Sequence, residues 1–325
     1  MRIVLIGFGY WGPNIARNSM ASENIELVGI CDASNDRLRA AQNIYGTNTE
    51  YFTDYKPLLK RNDIDGFALA VKNDVGQKIA EDILSAGKHL FMEKPLAKSV
   101  ENAIKLKELA EKNRVTLHVD HVMVYHPYIQ AIKEIFDSGE AGDLVYFESI
   151  RTNLGPTIKK DINAMWDLAV HDLAVVDYLS GGKEAEKVEA LGVSRYGEKE
   201  EQTYLLAKYA GFSAMIKSSW ISPLKERRIL IGGTKKLIVL DELAVDKIKV
   251  YDKGFDLVDV NGEYGEYEAK MRNGGMYSPI TGTYDALRRS LETFAEAART
   301  GKKTVTGADQ AIRVIRILEE ADADM

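Results

Sequence analysis

Met1-Arg-Ile-Val-Leu-Ile-Gly-Phe-Gly-Tyr-Trp-Gly-Pro-Asn14 opens the chain, and this stretch decides the fold predicted for its first part. The unbroken apolar run from Ile3 to Ile6 predicts a strand that is buried on both faces, as in a parallel sheet. The glycines that follow have the spacing G-x-G-x-x-G, and the proline after them favours the first turn of a helix. In such a loop Gly7 makes the tight turn, Gly9 lets the backbone approach a pyrophosphate, and Gly12 lets helix and strand pack closely. The stretch therefore predicts a strand, a phosphate-binding loop and a helix whose N-terminus favours anions.

The second predicted strand, Ile25 to Cys31, ends at Asp32, which lies 20 residues after Gly12. An acid at this distance hydrogen-bonds the ribose hydroxyls of a bound dinucleotide. A glycine-rich turn without a ligand is the alternative, but the strand, the helix and the acid together favour dinucleotide binding. Asp32 would repel a 2′-phosphate, so the sequence favours NAD over NADP, while Arg37 and Arg39 are placed where they could accommodate that phosphate.

Length and composition limit the classes of protein to which this chain can belong. Its 325 residues predict two domains, and its net charge of −6 without a lysine or arginine block argues against nucleic acid as a partner. Cys31 is the only cysteine, which excludes an internal disulfide framework and is typical of a reducing compartment. The first strand begins at Arg2, so we expect no signal peptide, and no apolar run approaches the ~18 residues of a membrane span. We therefore expect a cytoplasmic protein without membrane or nucleic-acid contacts.

Predicted strands and helices alternate up to residue 120 and then give way to consecutive strands. The alternation predicts an α/β Rossmann domain over residues 1–120, in which a doubly wound parallel sheet has helices on both faces. The consecutive strands predict an α+β domain over residues 121–325 with a large, mostly antiparallel sheet, used for substrate binding and oligomerisation. The two predicted C-terminal helices, Tyr284 to Arg299 and Ala308 to Ala321, are candidates for packing back on the first domain. Residues 261–280 are predicted to form a loop.

One face of the predicted antiparallel sheet is expected to be covered by a lone helix, Trp166 to Leu179. The opposite face is then exposed, and the alternation of Ala214, Ile216 and Ser218 is interpreted as leaving that face partly apolar. An exposed apolar face favours association, so we expect a homodimer or homotetramer formed through this sheet.

Three predicted loops follow strands at the carboxyl edge of the parallel sheet, where ligands bind in open α/β folds: Gly7–Gly12, Val71–Val75 and Glu93–Pro95. Lys94 directly follows a buried strand. Beside a nicotinamide its ammonium would be partly desolvated and close to a substrate hydroxyl, where it could stabilise an alkoxide or relay a proton. A solvated surface lysine is the alternative, and the place at a strand end favours the active-site interpretation.

A second cluster, Trp166-Asp167-Leu-Ala-Val-His171-Asp172, lies in the predicted helix of the second domain. Asp167 and His171 are four positions apart, so they share one face of an α-helix. A carboxylate one turn from an imidazole can orient the ring and stabilise its charged form, which makes an acid/base pair suited to an alcohol substrate. The local alternative is that Asp167 favours the helix N-terminus and His171 is a packed polar residue. Spacing alone leaves both interpretations open.

The glycine motif, Glu93-Lys94-Pro95 after the fifth predicted strand, and Asp167-x-x-x-His171 together resemble the GFO/IDH/MocA family. The segment from Tyr284 to Thr304 also resembles this family, so the resemblance covers nearly the whole chain. It implies NAD(P)-dependent oxidation or reduction of a sugar, a sugar derivative or a cyclic polyol, in a Rossmann domain followed by a domain whose sheet forms oligomer contacts. It also implies that His171 is the acid/base, that Asp167 orients it, and that Lys94 positions and polarises the reacting oxygen.

The sequence departs from the family pattern in two places. Many relatives have Thr-Pro in the loop after the fourth strand, where this chain has Val71-Lys72-Asn73-Asp74. Around the acid/base pair, Met165-Trp166-Asp167 stands where many relatives have a glycine-rich lead-in. Upstream, Arg151-Thr-Asn153-Leu-Gly155 makes Arg151 and Asn153 candidates for contacts to sugar hydroxyls or a carboxylate. These last two patterns resemble the branch linked to cell-surface polysaccharide and nucleotide-sugar metabolism.

The predicted function is hydride transfer between NAD and a carbinol carbon, in either direction. The alternative from another class is a regulatory protein that binds NAD(P) without turnover, for which the lysine and the acid/base pair would not be needed. The residues assigned to catalysis are Lys94, Asp167 and His171, and no metal site is assigned. Cofactor binding is assigned to Gly7, Phe8, Gly9, Tyr10, Trp11, Gly12, Asp32, Val71, Asn73, Glu93 and Lys94, and substrate binding to Lys94, Arg151, Asn153, Trp166, Asp167 and His171.

Overall fold

The computed structural model describes residues 1–155, 162–259 and 267–325, with side chains at all of these positions except 73–74, 256–259 and 267–269. The chain divides into two compact units. The first is made of Met1–Tyr125 and Tyr284–Arg316, and the second of His126–Thr283 and Ile317–Met325. Within the described ranges, no helix combines the length and the apolar composition that crossing a membrane requires.

The first unit contains a six-stranded sheet in which every neighbouring pair is parallel. Its order is β3-β2-β1-β4-β5-β6, so the chain reverses direction across the sheet beside β1, and the predicted doubly wound fold is confirmed. The carboxyl ends of the strands meet at one edge of this sheet, where their loops are brought together. The strands are β1 (Arg2–Ile6), β2 (Glu26–Cys31), β3 (Glu50–Phe52), β4 (Gly66–Leu69), β5 (His89–Glu93) and β6 (Leu117–Asp120).

Helices connect these strands, and their ends follow the expected capping chemistry. The Ser34 side chain accepts the Arg37 N–H at the start of one helix, and Ser99 accepts the Asn102 N–H at the start of another. A short 3₁₀ turn, Lys56–Lys60, follows β3, and Pro57 within it has no amide donor. The helices of this part are α1 (Gly12–Met20), α2 (Asn35–Tyr45), α3 (Asn73–Ser85) and α4 (Val100–Asn113), and a second 3₁₀ turn spans Val122–Tyr125.

A helix from the C-terminal part of the chain completes the core of the first unit. This helix, α7 (Ala286–Thr300), begins at Asp285, whose side chain accepts the N–H groups of the two residues at its start. Leu291 and Phe294 are fully buried in the cluster that contains Ile3 and Phe91. The Phe294 ring meets the Phe91 ring edge to face at 5.8 Å between centroids. The last helix, α8 (Ala308–Asp324), contributes residues to both units.

The second unit contains an eight-stranded sheet in the order β14-β13-β12-β11-β7-β10-β9-β8. Only the β7–β10 pair is parallel, so the predicted large, mostly antiparallel sheet is confirmed. Its strands are β7 (Leu144–Leu154), β8 (Ala185–Val193), β9 (Gln202–Tyr209), β10 (Phe212–Ser219), β11 (Ile221–Gly233), β12 (Leu237–Asp241), β13 (Ile248–Asp259) and β14 (Tyr267–Tyr277). The helices are α5 (Pro127–Asp137), α6 (Val170–Ser180) and a π-helical turn, Met165–Ala169, that leads into α6.

Two sequence expectations for this unit are wrong. The predicted loop at 261–280 contains β14, which pairs with β13 from Val250 to Asp259, while residues 260–266 lie outside the described part of the chain. Asn273 and two following glycines disfavour a strand by propensity, and the hydrogen bonds to β13 override that preference. The second error concerns the sheet faces: Ala214, Ile216 and Ser218 are buried. The exposed face of β10 carries Met215 instead, because the π-helical turn packs against β10 on the other side.

Candidate functional site

The three glycines of the loop at the end of β1 have different steric surroundings. Gly7 has φ +97°, and a Cβ there would lie 2.3 Å from the Ala70 carbonyl oxygen. A Cβ on Gly12 would lie 2.3 Å from the Gly7 carbonyl oxygen, so the packing of α1 on β1 requires glycine at both positions. At Gly9 the nearest atom to such a Cβ is Arg37 Nη1 at 3.8 Å. The protein's own packing therefore does not require glycine at position 9, and the open space fits the close approach of a pyrophosphate.

Asp32 lies at the end of β2 with its carboxylate beside the glycine loop. One oxygen accepts the Phe8 N–H at 2.7 Å, and the other accepts the Ser34 N–H at 2.8 Å. Arg37 Nη1 lies 3.5 Å from the first oxygen, whereas Arg39 pairs with Asp36 at the surface. These bonds fix the carboxylate at the loop, and the oxygen that accepts the Ser34 N–H keeps a lone pair that can accept a further hydroxyl.

The other residues predicted to contact the cofactor differ in the exposure and the contacts of their side chains. The Phe8 side chain is buried and packs against Tyr45, so only its backbone faces the loop, while Tyr10 is 95% exposed. Trp11 is one-third exposed, and it slightly opposes the burial that raises the pKa of Asp120. Val71 is half-buried and lies against Gly7. Asn73 begins α3, and its side chain lies outside the described residues.

Lys94 directly follows β5, whose last residue is Glu93. Burial raises the pKa values of Glu93 and Asp120, and the charge of the Lys94 ammonium opposes that rise; burial lowers the pKa of His121, and the same charge lowers it further. His121 is 2% exposed, and burial together with the Lys94 charge lowers the pKa of its imidazole to about 3. The lysine therefore lies in a buried polar environment and not among solvated surface charges.

The second unit brings Trp166, Asp167 and His171 onto consecutive turns where the π-helix passes into α6. The expectation of one continuous α-helix is corrected here, and π-helical turns are frequently found at functional sites. Asn163 Oδ1 accepts the Trp166 N–H at 3.1 Å and so caps the start of this segment. The Trp220 indole Nε1–H donates to Asp167 Oδ2 at 3.2 Å, which fixes the carboxylate. Trp166 itself is 7% exposed, so little of its side chain is open to a substrate.

Arg151 and Asn153, predicted to contact the substrate, already have protein partners. The Arg151 guanidinium donates to both oxygens of Asp172 at 3.0 and 2.9 Å and to Glu242 at 2.9 Å. Asn153 Oδ1 accepts from Arg227 Nη2 at 3.0 Å. These bonds link β7 to the residue that follows His171, so Arg151 holds the start of α6 in place.

Sequence reasoning missed Asp120 as a neighbour of Glu93. The two residues are register partners at the ends of β5 and β6, so their side chains share one face of the sheet. A signal was present, because each acid directly follows a buried apolar strand. The sequence analysis gave no strand order, and only the adjacency of β5 and β6 in the structure places the two carboxyl groups together.

Comparisons with known proteins agree with this architecture. A family model described as an oxidoreductase family with an NAD-binding Rossmann fold matches residues 1–121, and the model of the GFO/IDH/MocA C-terminal domain matches residues 129–239. Inositol 2-dehydrogenase of Salmonella typhimurium is 25% identical over 179 residues, which are 54% of this chain and 53% of the relative. The chain thus spans about half the length of that relative.

Two further proteins match over almost their whole length. UDP-N-acetylglucosamine 3-dehydrogenase of Acidithiobacillus ferrooxidans is 26% identical over 323 residues, or 99% of this chain and 98% of the relative. Its solved structure matches 100% of this chain and 97% of that chain with a TM-score of 0.84 at 22% identity. GenD2 from gentamicin A biosynthesis, solved with NAD, matches 100% of this chain and 93% of that chain with a TM-score of 0.81 at 21% identity. These structures establish the fold, and the family models confirm the predicted oxidoreductase class and the predicted NAD cofactor.

Proposed function

Because the chain belongs to the GFO/IDH/MocA family of oxidoreductases, we propose that it oxidises or reduces a carbinol carbon of a sugar, a sugar derivative or a cyclic polyol. Nucleotide-linked sugars belong to this class, since the relative that matches 99% of the chain is named as a UDP-N-acetylglucosamine 3-dehydrogenase. Bound NAD supplies or accepts the hydride in such a reaction. The same protein groups serve both directions.

The observation that carries the proposal is the arrangement at the carboxyl edge of the first sheet. The glycine loop after β1, Asp32 after β2 and Lys94 after β5 all follow strands of one parallel sheet. This edge is where ligands bind in open α/β folds. The space at Gly9 and the fixed carboxylate of Asp32 fit a pyrophosphate and an adjacent ribose. Asp32 favours NAD over NADP because its carboxylate would repel a 2′-phosphate.

We assign the proton chemistry to the second cluster and to Lys94. His171 exchanges the carbinol proton at an imidazole nitrogen, and Asp167, fixed by Trp220, orients the ring. The Lys94 Nζ polarises the reacting oxygen and stabilises its alkoxide form. The assignment is supported by the burial around Lys94 and by the fixed carboxylate of Asp167.

We also propose a cytoplasmic homo-oligomer. The buried thiol of Cys31 is the only cysteine, which is typical of a reducing compartment. The exposed face of the second sheet has a mostly apolar cross-strand row in which Leu206 pairs with Met215 and Leu230 pairs with Val239, with Glu148 of β7 between the two pairs. Leu206 is 50% exposed and Met215 is 39% exposed. An apolar row of this kind supports association of two sheets into a dimer or tetramer.

The first test is cofactor binding followed by turnover. NAD and NADP are titrated separately against the purified protein, with displacement of bound fluorescent NADH as the readout. We expect NAD to bind more tightly. A panel of sugars, cyclic polyols and UDP-sugars is then followed at the NADH absorbance band. A signal from one panel class identifies the substrate class and supports the proposal.

Two results would contradict the proposal, and they differ in meaning. NAD binding without turnover on any panel member, in either direction, would favour the regulatory alternative. Failure to bind either nucleotide would overturn the interpretation of the glycine loop and of Asp32.

A further inference from the structure

Glu93 and Asp120 form a carboxyl pair at the carboxyl edge of the first sheet. They are register partners on adjacent parallel strands, and their side chains are within hydrogen-bonding reach of each other. Glu93 Oε1 and Asp120 Oδ2 are both buried, and neither has a hydrogen-bond donor among the described residues when both acids are ionised. A proton shared between the two groups satisfies both carboxyls and removes one of two buried like charges.

A network of hydrogen bonds behind Asp120 indicates on which acid the proton resides. Ser290 Oγ–H donates to Asp120 Oδ1 at 2.8 Å, and its oxygen lies 3.0 Å from His118 Nε2. Burial lowers the pKa of His118 to about 3, so the ring is neutral and has one donor and one acceptor nitrogen. His118 Nε2–H then donates to Ser290, and Nδ1 accepts from Thr304 Oγ at 2.8 Å. Every bond in this chain points toward Asp120.

An ionised carboxylate is the stronger acceptor for such a chain, so the proton resides on Glu93. The pKa shifts of Glu93 and Asp120 agree with this assignment. Burial raises the pKa of Glu93 strongly, and the negative charge of Asp120 raises it further. Burial also raises the pKa of Asp120, but the bonds from Ser290 and the charge of Lys94 oppose that effect. The pair therefore carries one negative charge near neutral pH.

Lys94 lies beside this pair. Three described groups of the first unit interact electrostatically with its ammonium: Glu93 at the end of β5, Asp120 at the end of β6, and His121 in the turn that follows. The His121 ring is neutral near pH 7 because its pKa is lowered to about 3. Among these three groups, the carboxyl pair is therefore the one that presents negative charge to the lysine.

We propose that Glu93 and Asp120 share one proton and act as a single negative charge that keeps Lys94 protonated. The pair is a positioning group for the lysine and not a group that touches the substrate. Its consequence for turnover rests on the catalytic role proposed above for Lys94. The shared proton itself does not depend on that role, and the test separates the two.

Isosteric amides give a pattern of results that a merely structural pair would not give. In Glu93→Gln the new amide donates to ionised Asp120, and in Asp120→Asn the new amide donates to Glu93, which then ionises. Each single variant therefore loses the shared proton and keeps one negative charge. The double variant Glu93→Gln/Asp120→Asn loses the charge, and the apparent pKa of Lys94 should fall by about 1–3 units. Exposed Glu101→Gln is the matched control, with no change expected.

Two measurements on the full chain test the shared proton and its effect on Lys94 without relying on turnover. Infrared difference spectra of the unmodified protein at pH 8 should show a protonated carboxyl band that both single variants lose. The pH dependence of Lys94 acetylation, followed by peptide mass spectrometry, should be the same in the single variants and shifted to lower pH only in the double variant. If the double variant does not fold, the infrared band and the two single variants still decide whether Glu93 and Asp120 share a proton.

Absence of the infrared band, or a stepwise shift of Lys94 labelling in each single variant, would overturn the shared proton. An unshifted double variant would overturn the effect of the pair on Lys94. The pH profile of turnover is then compared with the labelling. A labelling shift without a matching shift in turnover supports the carboxyl pair and contradicts the catalytic role of Lys94.

Discussion

Arg151 and Asp172 form a bidentate ion pair in which both side chains are almost fully buried. The pair joins β7 to the residue immediately after His171, and Glu242 accepts a third bond from the same guanidinium. A buried ion pair of this kind costs desolvation to form, but removing one partner leaves an uncompensated charge in the interior. Its geometry makes it a support for the start of α6.

Replacement of Arg151 by Met should therefore lower the free energy of unfolding by about 3–5 kcal/mol. Urea denaturation of the full chain measures this change. The exposed pair of Arg39 and Asp36 provides the matched control, and Arg39→Met should leave the urea midpoint unchanged. A midpoint for Arg151→Met equal to that of the control would contradict the role assigned to the buried pair.

The glycine loop gives a prediction that separates folding from cofactor binding. Gly12→Ala should lower the free energy of unfolding by about 1–3 kcal/mol, because the new methyl group meets a carbonyl oxygen at 2.3 Å. Gly9→Ala should change the stability of the free protein by less than about 0.5 kcal/mol, since its Cβ has room. The same substitution should weaken NAD binding by about tenfold or more, because it occupies the space proposed for the pyrophosphate. Thermal unfolding without NAD and a fluorescence titration measure the two effects, and unchanged NAD affinity in Gly9→Ala would remove the loop from the cofactor site.

The proposed catalytic residues should affect turnover and not cofactor affinity. Lys94→Met and His171→Asn should each reduce kcat by about 10²–10⁴-fold, the usual contribution of a positioned proton-transfer group. NAD affinity should remain close to that of the unmodified enzyme. Lys78→Met is the matched control because this lysine is exposed and pairs only locally with Asp82. Full turnover in either site variant would refute the role of that residue.

The loss of folding stability at acidic pH should arise in part from the buried imidazole of His118. Its pKa is lowered from 6.5 to about 3 in the folded protein, so between these values the unfolded chain binds a proton that the native chain does not. Stability therefore falls as pH decreases from about 6.5, by up to about 1.4 kcal/mol per pH unit for this one group. His118→Gln should reduce this slope in urea denaturation between pH 5 and 6.5.

Thr304→Val serves as the control for this slope. It removes a hydrogen bond to His118 Nδ1 without removing a titrating group or a bond to Asp120, so stability should drop at every pH with an unchanged slope. Equal slopes in His118→Gln and the unmodified protein would show that the buried imidazole does not contribute to acid unfolding.

The proposed association through the second sheet can be tested on its exposed face. Leu206→Lys combined with Met215→Lys places two charges in the apolar row and should convert the oligomer into a monomer. Light scattering at micromolar concentration measures the mass. Ile44→Lys, at an exposed apolar position on α2, should leave the mass unchanged. A monomeric unmodified protein, or a double variant with the mass of the unmodified protein, would contradict the proposed interface.

Local chemistry made much of the fold predictable. The buried run before Gly7, the serine caps of α2 and α4, and the alternation of strands and helices each express rules that operate over a few residues. The same is true of Gly12 in the predicted cofactor loop, whose constraint is the carbonyl oxygen of nearby Gly7. These features follow from sequence because the atoms that enforce them are neighbours along the chain.

Other features depend on contacts between distant segments. Strand β14 forms because β13 offers it hydrogen bonds, and the buried face of β10 is decided by the turn that packs on it. The sequence also could not show that Arg151 is already bonded to Asp172 and Glu242, because those partners come from separate elements. A side chain's partner is set by tertiary packing even where its strand is predictable.

The sequence by itself determined the doubly wound parallel character of the first unit, the antiparallel character of the second, and the residue types at the end of each strand. Only the tertiary structure decided which of those residues face each other. Glu93 and Asp120 are far apart in the chain and become register partners solely because β5 and β6 lie side by side. Their coupling, and the charge that it leaves beside Lys94, exists because burial and proximity raise the free energy of two like charges together.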